Sequence, residues 1–202
     1  TQYLSLKDEN DFLHKENAEL RTLLSKEEVN TNPILNQYIP ARVIKNSIFK
    51  QNNFIMLDKG EKDGVKSGMG VMVDNGVIGI VATTSENFSK VTSILNKKSG
   101  ISVVHVKSGQ NGSLRWNTND YMTATINNMP NANYQIGDTI KTSGYSSKFP
   151  VGINIAKVIS YTKGEKFYKI NVKFFNDMNT VKNVYIINSL MKEEVEKLEI
   201  EK

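Results

Sequence analysis

The hydrophobic repeat changes once along this chain, and that change governs what the chain can fold into. Between Tyr3 and Glu27 leucine returns at every seventh residue, at Leu6, Leu13 and Leu20. After Pro40 the apolar residues alternate with polar ones and cluster in short β-branched runs bounded by Gly and Asn. A seven-residue repeat belongs to a helix that meets another helix, and a two-residue repeat belongs to half-buried strands. Between them, Asn30-Thr31-Asn32-Pro33 ends the helix, because Pro33 disfavours helix at the residue before it and removes a donor.

The helical segment lacks Gly and Pro and is rich in Leu, Glu, Lys and Ala. With Leu6, Leu13 and Leu20 at d, the a positions are Tyr3, Asn10, Asn17 and Leu24. An Asn at a costs stability but pairs best with its own copy in a parallel dimer. Glu9 would then face His14, and Glu16 would face Arg21, of the partner helix. Tyr3, Leu6, Asn10, Leu13, Asn17, Leu20 and Leu24 are therefore the expected self-association residues. The alternative is an amphipathic helix packed on its own body, against which the narrow apolar stripe argues.

Twelve strands are expected beyond Pro40. They are Ala41–Phe49, Asn53–Leu57, Gly70–Val73, Val77–Thr83, Lys90–Leu95, Ile101–Lys107, Gly112–Trp116, Tyr121–Ile126, Thr139–Thr142, Ile153–Tyr161, Lys166–Phe175 and Val184–Ile187. No amphipathic helix interrupts them, which points to a mostly β body of small barrels or sandwiches. Asn75-Gly76 predicts a two-residue hairpin loop with positive φ. Ile153-Asn154-Ile155-Ala156-Lys157-Val158 changes face partway, which predicts a bulge near Ala156.

Charge invites a nucleic-acid reading, with a net +5 and a pI near 9.2. Yet Arg21, Arg42 and Arg115 are the only arginines, and the lysines are spread along the chain. Bidentate phosphate and base recognition favours the arginine fork, so no nucleic acid is expected as a partner. There is no cysteine, which excludes disulfides and thiolate chemistry. No apolar run reaches the roughly 20 residues of a membrane span. The chain starts within a helical pattern without Met, and reads as a fragment from which an upstream segment was removed.

No catalytic, metal or cofactor constellation emerges. His105 is the single histidine after the coil and lies in an apolar strand with Ile101 and Val103 on its own face. Asp58, Glu61 and Asp63 do not follow a Ca²⁺-loop spacing and read as a solvated turn. Ser47-Ile48-Phe49-Lys50 fits S-x-x-K, but on a strand i and i+3 point to opposite faces, so the match is coincidental. Along Phe167–Phe175, Tyr168, Ile170, Val172 and Phe174 make the inward face. Phe167 and Phe175 flank Lys169, Asn171 and Lys173 on the other, either as a docking surface or under a neighbouring domain.

In order, the chain resembles the rod shape-determining protein MreC family. The resemblance rests on Glu16-Asn17-Ala18-Glu19-Leu20-Arg21, Ala41-Arg42-Val43-Ile44, Leu57-Asp58-Lys59-Gly60, Asp63-Gly64-Val65-Lys66-Ser67-Gly68-Met69 and Val71. It continues through Asn75-Gly76-Val77-Ile78-Gly79, Gly112-Ser113-Leu114-Arg115-Trp116, Gly137-Asp138-Thr139-Ile140, Thr142-Ser143-Gly144 and Phe149-Pro150-Val151-Gly152-Ile153. Ala156 departs from the glycine often found there. The resemblance implies a coiled-coil helix (1–32), a linker (33–40), and two small six-stranded β-barrel domains (41–108 and 109–188). A charged tail (189–202), either helical or disordered, has no counterpart. It further implies a non-enzymatic periplasmic scaffold of the cell-elongation machinery, held to the inner membrane by an N-terminal helix upstream of Thr1. Such scaffolds form a homodimer that can assemble further and activate a class B penicillin-binding transpeptidase. They work with MreD and, across the membrane, with MreB. Tyr145, Phe149, Phe167 and Phe175 are the expected partner-binding residues, because they are apolar where a solvated loop or strand should be polar. A periplasmic adaptor of an efflux or secretion system is the alternative, and a two-barrel serine hydrolase built on His105 is a further one.

Overall fold

The computed structural model describes residues 2–27 and 36–189, with helix side chains from Leu6 to Ser25. The chain runs through α1 (Gln2–Glu27) into β1 (Asn36–Asn46), β2 (Asn52–Leu57), β3 (Gly70–Val73), β4 (Gly76–Thr84) and β5 (Ser89–Asn96). Then follow β6 (Ile101–His105), β7 (Asn111–Trp116), β8 (Thr123–Met129), β9 (Thr139–Thr142), β10 (Asn154–Lys163), β11 (Tyr168–Phe174) and β12 (Asn183–Ser189). They close into two six-stranded barrels, ordered β1-β12-β3-β4-β5-β2 and β10-β11-β8-β7-β6-β9. Period-two alternation fills each interior, with Ile55, Leu57, Val71, Val91 and Ile94 in the first barrel. Val103, Leu114, Ile126, Ile140, Ile170 and Val172 fill the second. Each such side chain contributes about 1.5–3 kcal/mol on leaving water.

The expected domain limits need three corrections. β12 does not belong to the second barrel but returns to the first, where it alone fills the gap between β1 and β3. Its register with β1 runs from Asn36↔Ser189 to Arg42↔Asn183. β6 belongs to the second barrel, pairing β7 and β9, so the chain changes barrel in the 97–100 connection and not at 108. Finally, the expected linker is partly strand, since β1 starts at Asn36 and carries Pro40 opposite Tyr185. Proline is tolerated there because β2 joins β1 only from Val43 onward, leaving that side of Pro40 without a ladder. The expected charged tail lies outside the described residues from Leu190 onward.

Helix α1 covers this open side. The Thr22 hydroxyl accepts the Tyr38 N–H at 3.1 Å, and the Ser25 hydroxyl donates to the Asn36 carbonyl at 2.7 Å. Ala18 is buried against the barrel, His14 Nε2 lies 3.1 Å from the Val184 carbonyl, and Arg21 pairs with Asp74 over the Tyr185 ring. The helix thus satisfies strand groups that an uncovered edge would leave to water.

The β3–β4 hairpin forms where expected, but its loop is Asp74-Asn75, closed by Val73↔Gly76, and Asn75 has no positive φ. Gly76 serves close approach instead, because a Cβ there would stand 2.0 Å from Asn176 Nδ2. In β10 the register against β9 slips between Asn154 and Ala156, at the predicted face change.

Candidate partner-binding surfaces

The docked face of α1 carries Asp11, His14, Ala18, Arg21, Thr22 and Ser25, all small, polar or charged. At 3.6 residues per turn, the stripe Leu6, Leu13, Leu20 and Leu24 lies about 120° round the helix from that face. These four leucines are between 47% and 60% exposed, so docking leaves them uncovered within one chain. Asn10 behaves differently from a free a position, since its side-chain oxygen accepts from Asn183 Nδ2 at 3.0 Å. Asn17 is exposed beside Leu13 at the rim of the helix–barrel contact. The side chain of Tyr3 lies outside the described residues.

The structure divides the four expected contact residues. Tyr145 is 79% exposed, Phe167 49% and Phe175 37%, the last beneath Lys157 Nζ at 5.6 Å from the ring centroid. Phe149 is corrected: at 5% exposure it is a core residue of the barrel–barrel seam. Its ring fills the space that Gly70 leaves open, where a Cβ would stand 2.7 Å from the ring edge. The loop is therefore pinned at Phe149 and presents Tyr145 outward. Sequence reading missed Ile136 and Phe49, both strongly exposed, with Phe49 edge-on to Tyr121 across the seam at 6.3 Å. The expected first strand runs to Phe49, but β1 ends at Asn46, so alternation along that strand could not place the Phe49 side chain.

His105 acquires partners that the sequence did not reveal. Nδ1 accepts the Ser108 N–H at 3.2 Å and lies 2.7 Å from the Ser108 hydroxyl, while Nε2 lies 2.9 Å from Asp138 Oδ2. With Nδ1 accepting, Nε2 carries the proton and donates to the carboxylate. Asp138 also accepts from Lys107 Nζ at 2.5 Å and from the Gln135 N–H at 2.8 Å. Burial is the largest influence on this carboxyl and pushes its pKa up. The Lys107 ammonium, the Gln135 N–H and His105 together outweigh it and hold the carboxyl below its ordinary value. Ser, His and Asp thus meet, as a serine-hydrolase reading would ask. However, His105 is fully buried, and its Nδ1 lone pair is engaged by the backbone of the turn it would have to serve. The arrangement works as a clamp tying the β6–β7 turn to the β8–β9 connection.

The acidic residues near Gly60 are engaged as well: Asp58 holds Arg42 at 2.9 Å and Asp63 holds Lys59 at 2.7 Å. Among the described residues no group of three acidic or His side chains is placed to hold a metal ion, and no helix is long and apolar enough to cross a membrane.

Residues 43–188 match the family model of the rod shape-determining protein MreC, barrel core. The chain belongs to the MreC family. The cell shape-determining protein MreC of Listeria monocytogenes is 30% identical over 152 residues, covering 72% of this chain and 50% of that protein. The chain thus spans half or less of the length of the curated MreC relatives it matches. A solved MreC structure from Listeria monocytogenes superposes with a TM-score of 0.71 at 26% identity, over 93% of this chain and 91% of that one. MreC of Helicobacter pylori, solved in complex with the penicillin-binding protein PBP2, shares the fold at a TM-score of 0.63 and 17% identity, over 77% of this chain and 99% of that one. The family assignment agrees with the two-barrel body. Among the described residues there is one α-helix and no helical hairpin, so the adaptor alternative gains no support.

Proposed function

We propose that this chain is the periplasmic part of a non-catalytic scaffold for cell elongation, which pairs through α1 and presents its second barrel to a class B penicillin-binding transpeptidase. The observation that carries the reading is the exposure of Tyr145, Phe167 and Phe175 on a barrel whose interior is otherwise closed. Apolar side chains on a solvent face supply the contact area around which protein interfaces form. The Helicobacter pylori relative, solved in complex with PBP2, supports a partner of this class.

Pairing follows from the leucine stripe. Leu6, Leu13, Leu20 and Leu24 can meet their copies in a parallel dimer while Ala18 stays docked, with Asn17 alongside to fix register. Asn10 joins that seam by exchanging Asn183 for its own copy. In the whole protein, a membrane helix before Thr1 anchors the pair to the inner membrane. There MreD and, across the membrane, MreB are its further partners. Binding shifts the transpeptidase toward its active conformation by preferring that state, and requires no chemistry of the scaffold.

The test is sedimentation equilibrium on this chain and on the double variant Asn10→Lys/Leu13→Lys, with capture of the cognate transpeptidase in parallel. A dimer lost in the variant, together with capture by the parent chain, is the expected result. A parent chain that stays monomeric and captures nothing would refute the reading.

A further inference from the structure

The second barrel turns a face of one charge sign to solvent. Along β10 and β11, Ala156, Val158, Ile170 and Val172 point inward and are buried. Alternation then places Lys157 outward opposite Lys173, and Thr162 outward opposite Lys169. Between these rows Ser160 stands opposite Asn171, Asn171 opposite Thr125, and Thr125 opposite Arg115, which carries the same face across β8 to β7. Lys157, Lys169, Lys173 and Arg115 are all exposed. No Asp or Glu occurs in any of the four strands.

Two lysines directly opposite on antiparallel strands repel each other and weaken the pairing, whereas a glutamate at either position would attract its neighbour. On the first barrel, by contrast, Arg42 meets Asp58 and Lys59 meets Asp63. The neutral groups between the lysines are spent on one another. Asn171 Nδ2 donates to the Ser160 hydroxyl at 2.9 Å, and the Thr125 hydroxyl donates to Asn171 Oδ1 at 3.2 Å. What the face offers outward is therefore cationic charge. Phe167 and Phe175 flank β11 at its two ends, and Lys157 Nζ lies 5.6 Å from the Phe175 ring centroid, so the charge and the exposed aromatics belong to one surface. At ordinary strand rise β11 is roughly 20 Å long, comparable with the span of one side of a protein interface.

We propose that the Lys157–Lys169–Lys173 face receives an acidic surface of the class B transpeptidase and sets the rate at which the two proteins meet. The inference rests on the scaffold reading, whose partner it describes. Exposed charges of one sign act over about a Debye length, so they orient an oppositely charged partner before contact and raise its association rate. Phe167 and Phe175, once covered, hold the complex and govern its dissociation. The opposed pair Lys157 and Lys173 thus costs the free barrel a little stability and is relieved when carboxylates of the partner arrive.

Stopped-flow kinetics with the cognate transpeptidase tests this, because it separates association from dissociation. The full 202-residue chain is compared with Lys157→Glu/Lys173→Glu at salt from about 0.05 to 0.5 M, over which the Debye length shrinks from roughly 14 Å to 4 Å. The parent's association rate should fall steeply with salt. The double variant should associate about tenfold more slowly at low salt, lose most of that salt dependence, and dissociate within about twofold of the parent's rate. Phe167→Ala should do the reverse, dissociating faster with association little changed. Lys157→Glu alone guards against a folding defect, since it gives Lys173 an opposite charge across the ladder. Its thermal midpoint should not fall below the parent's, while its association still slows several-fold. Binding whose association rate responds neither to salt nor to the charge reversal would overturn the proposal and leave the scaffold reading standing. Absence of any binding by the parent would overturn both. Unchanged association kinetics, with the double variant instead losing adsorption to phosphatidylglycerol vesicles, would assign the face to anionic lipid and also overturn the proposal.

Discussion

At the scale of single residues, buried polar groups decide more than their number suggests. Asp138 is buried and receives Lys107, His105 and the Gln135 N–H. Asp138→Asn is expected to cost about 3 kcal/mol, because it breaks a buried charge-assisted cluster and strands its donors. Urea denaturation of the two proteins checks this, and its pH dependence fixes the sign. The folded-state pKa of Asp138 is lowered, so its contribution is complete above the ordinary carboxylate value and is lost as pH falls through the folded one. The parent's advantage over the variant should hold at neutral pH and shrink below about pH 4. Gly70 makes a second test. A Cβ there would stand 2.1 Å from the Lys148 carbonyl, so Gly70→Ala should cost about 2 kcal/mol through a shifted backbone at the seam. That His105 is a core residue could be read from its neighbours Ile101 and Val103. Its partner Asp138 could not, because a contact 33 residues away leaves no mark on local periodicity.

At the scale of elements, α1 shows what hydrophobic pattern reveals and what it hides. The seven-residue spacing located the leucine stripe, and the structure leaves that stripe exposed. It did not show that the neighbouring face docks on the chain's own barrel. Docking runs through His14, Ala18, Arg21, Thr22 and Ser25, where one alanine and several hydrogen bonds do the holding. A polar contact of this kind has no hydrophobic period to detect. The two faces make separable predictions. Ala18→Arg forces the helix off β1, so hydrogen exchange at the Tyr38 amide should quicken about tenfold or more. Leu13→Lys/Leu20→Lys should leave that amide protected and remove only self-association, read by sedimentation.

At the scale of the whole molecule, nearly every strand was legible and their arrangement was not. Alternation located twelve strands within a few residues, as burial on one face of each requires. The closure of the first barrel by β12, almost a whole chain away from β1, is a non-local choice made by which gap remains to be filled. For the same reason Phe149 looked like loop surface in the sequence and is core in the fold, whereas Tyr145, four residues earlier, remains outside. The exposed aromatics of the second barrel are where the scaffold account is most open to test. The most direct measurement is calorimetric titration of the cognate class B transpeptidase with this chain, Tyr145→Ala, Phe167→Ala and the double variant. Anchoring aromatics at an interface each carry about 1–2 kcal/mol or more, so each single variant should bind roughly tenfold more weakly and the double variant weaker still. Unchanged affinity in the double variant, with its fold intact, would contradict the account.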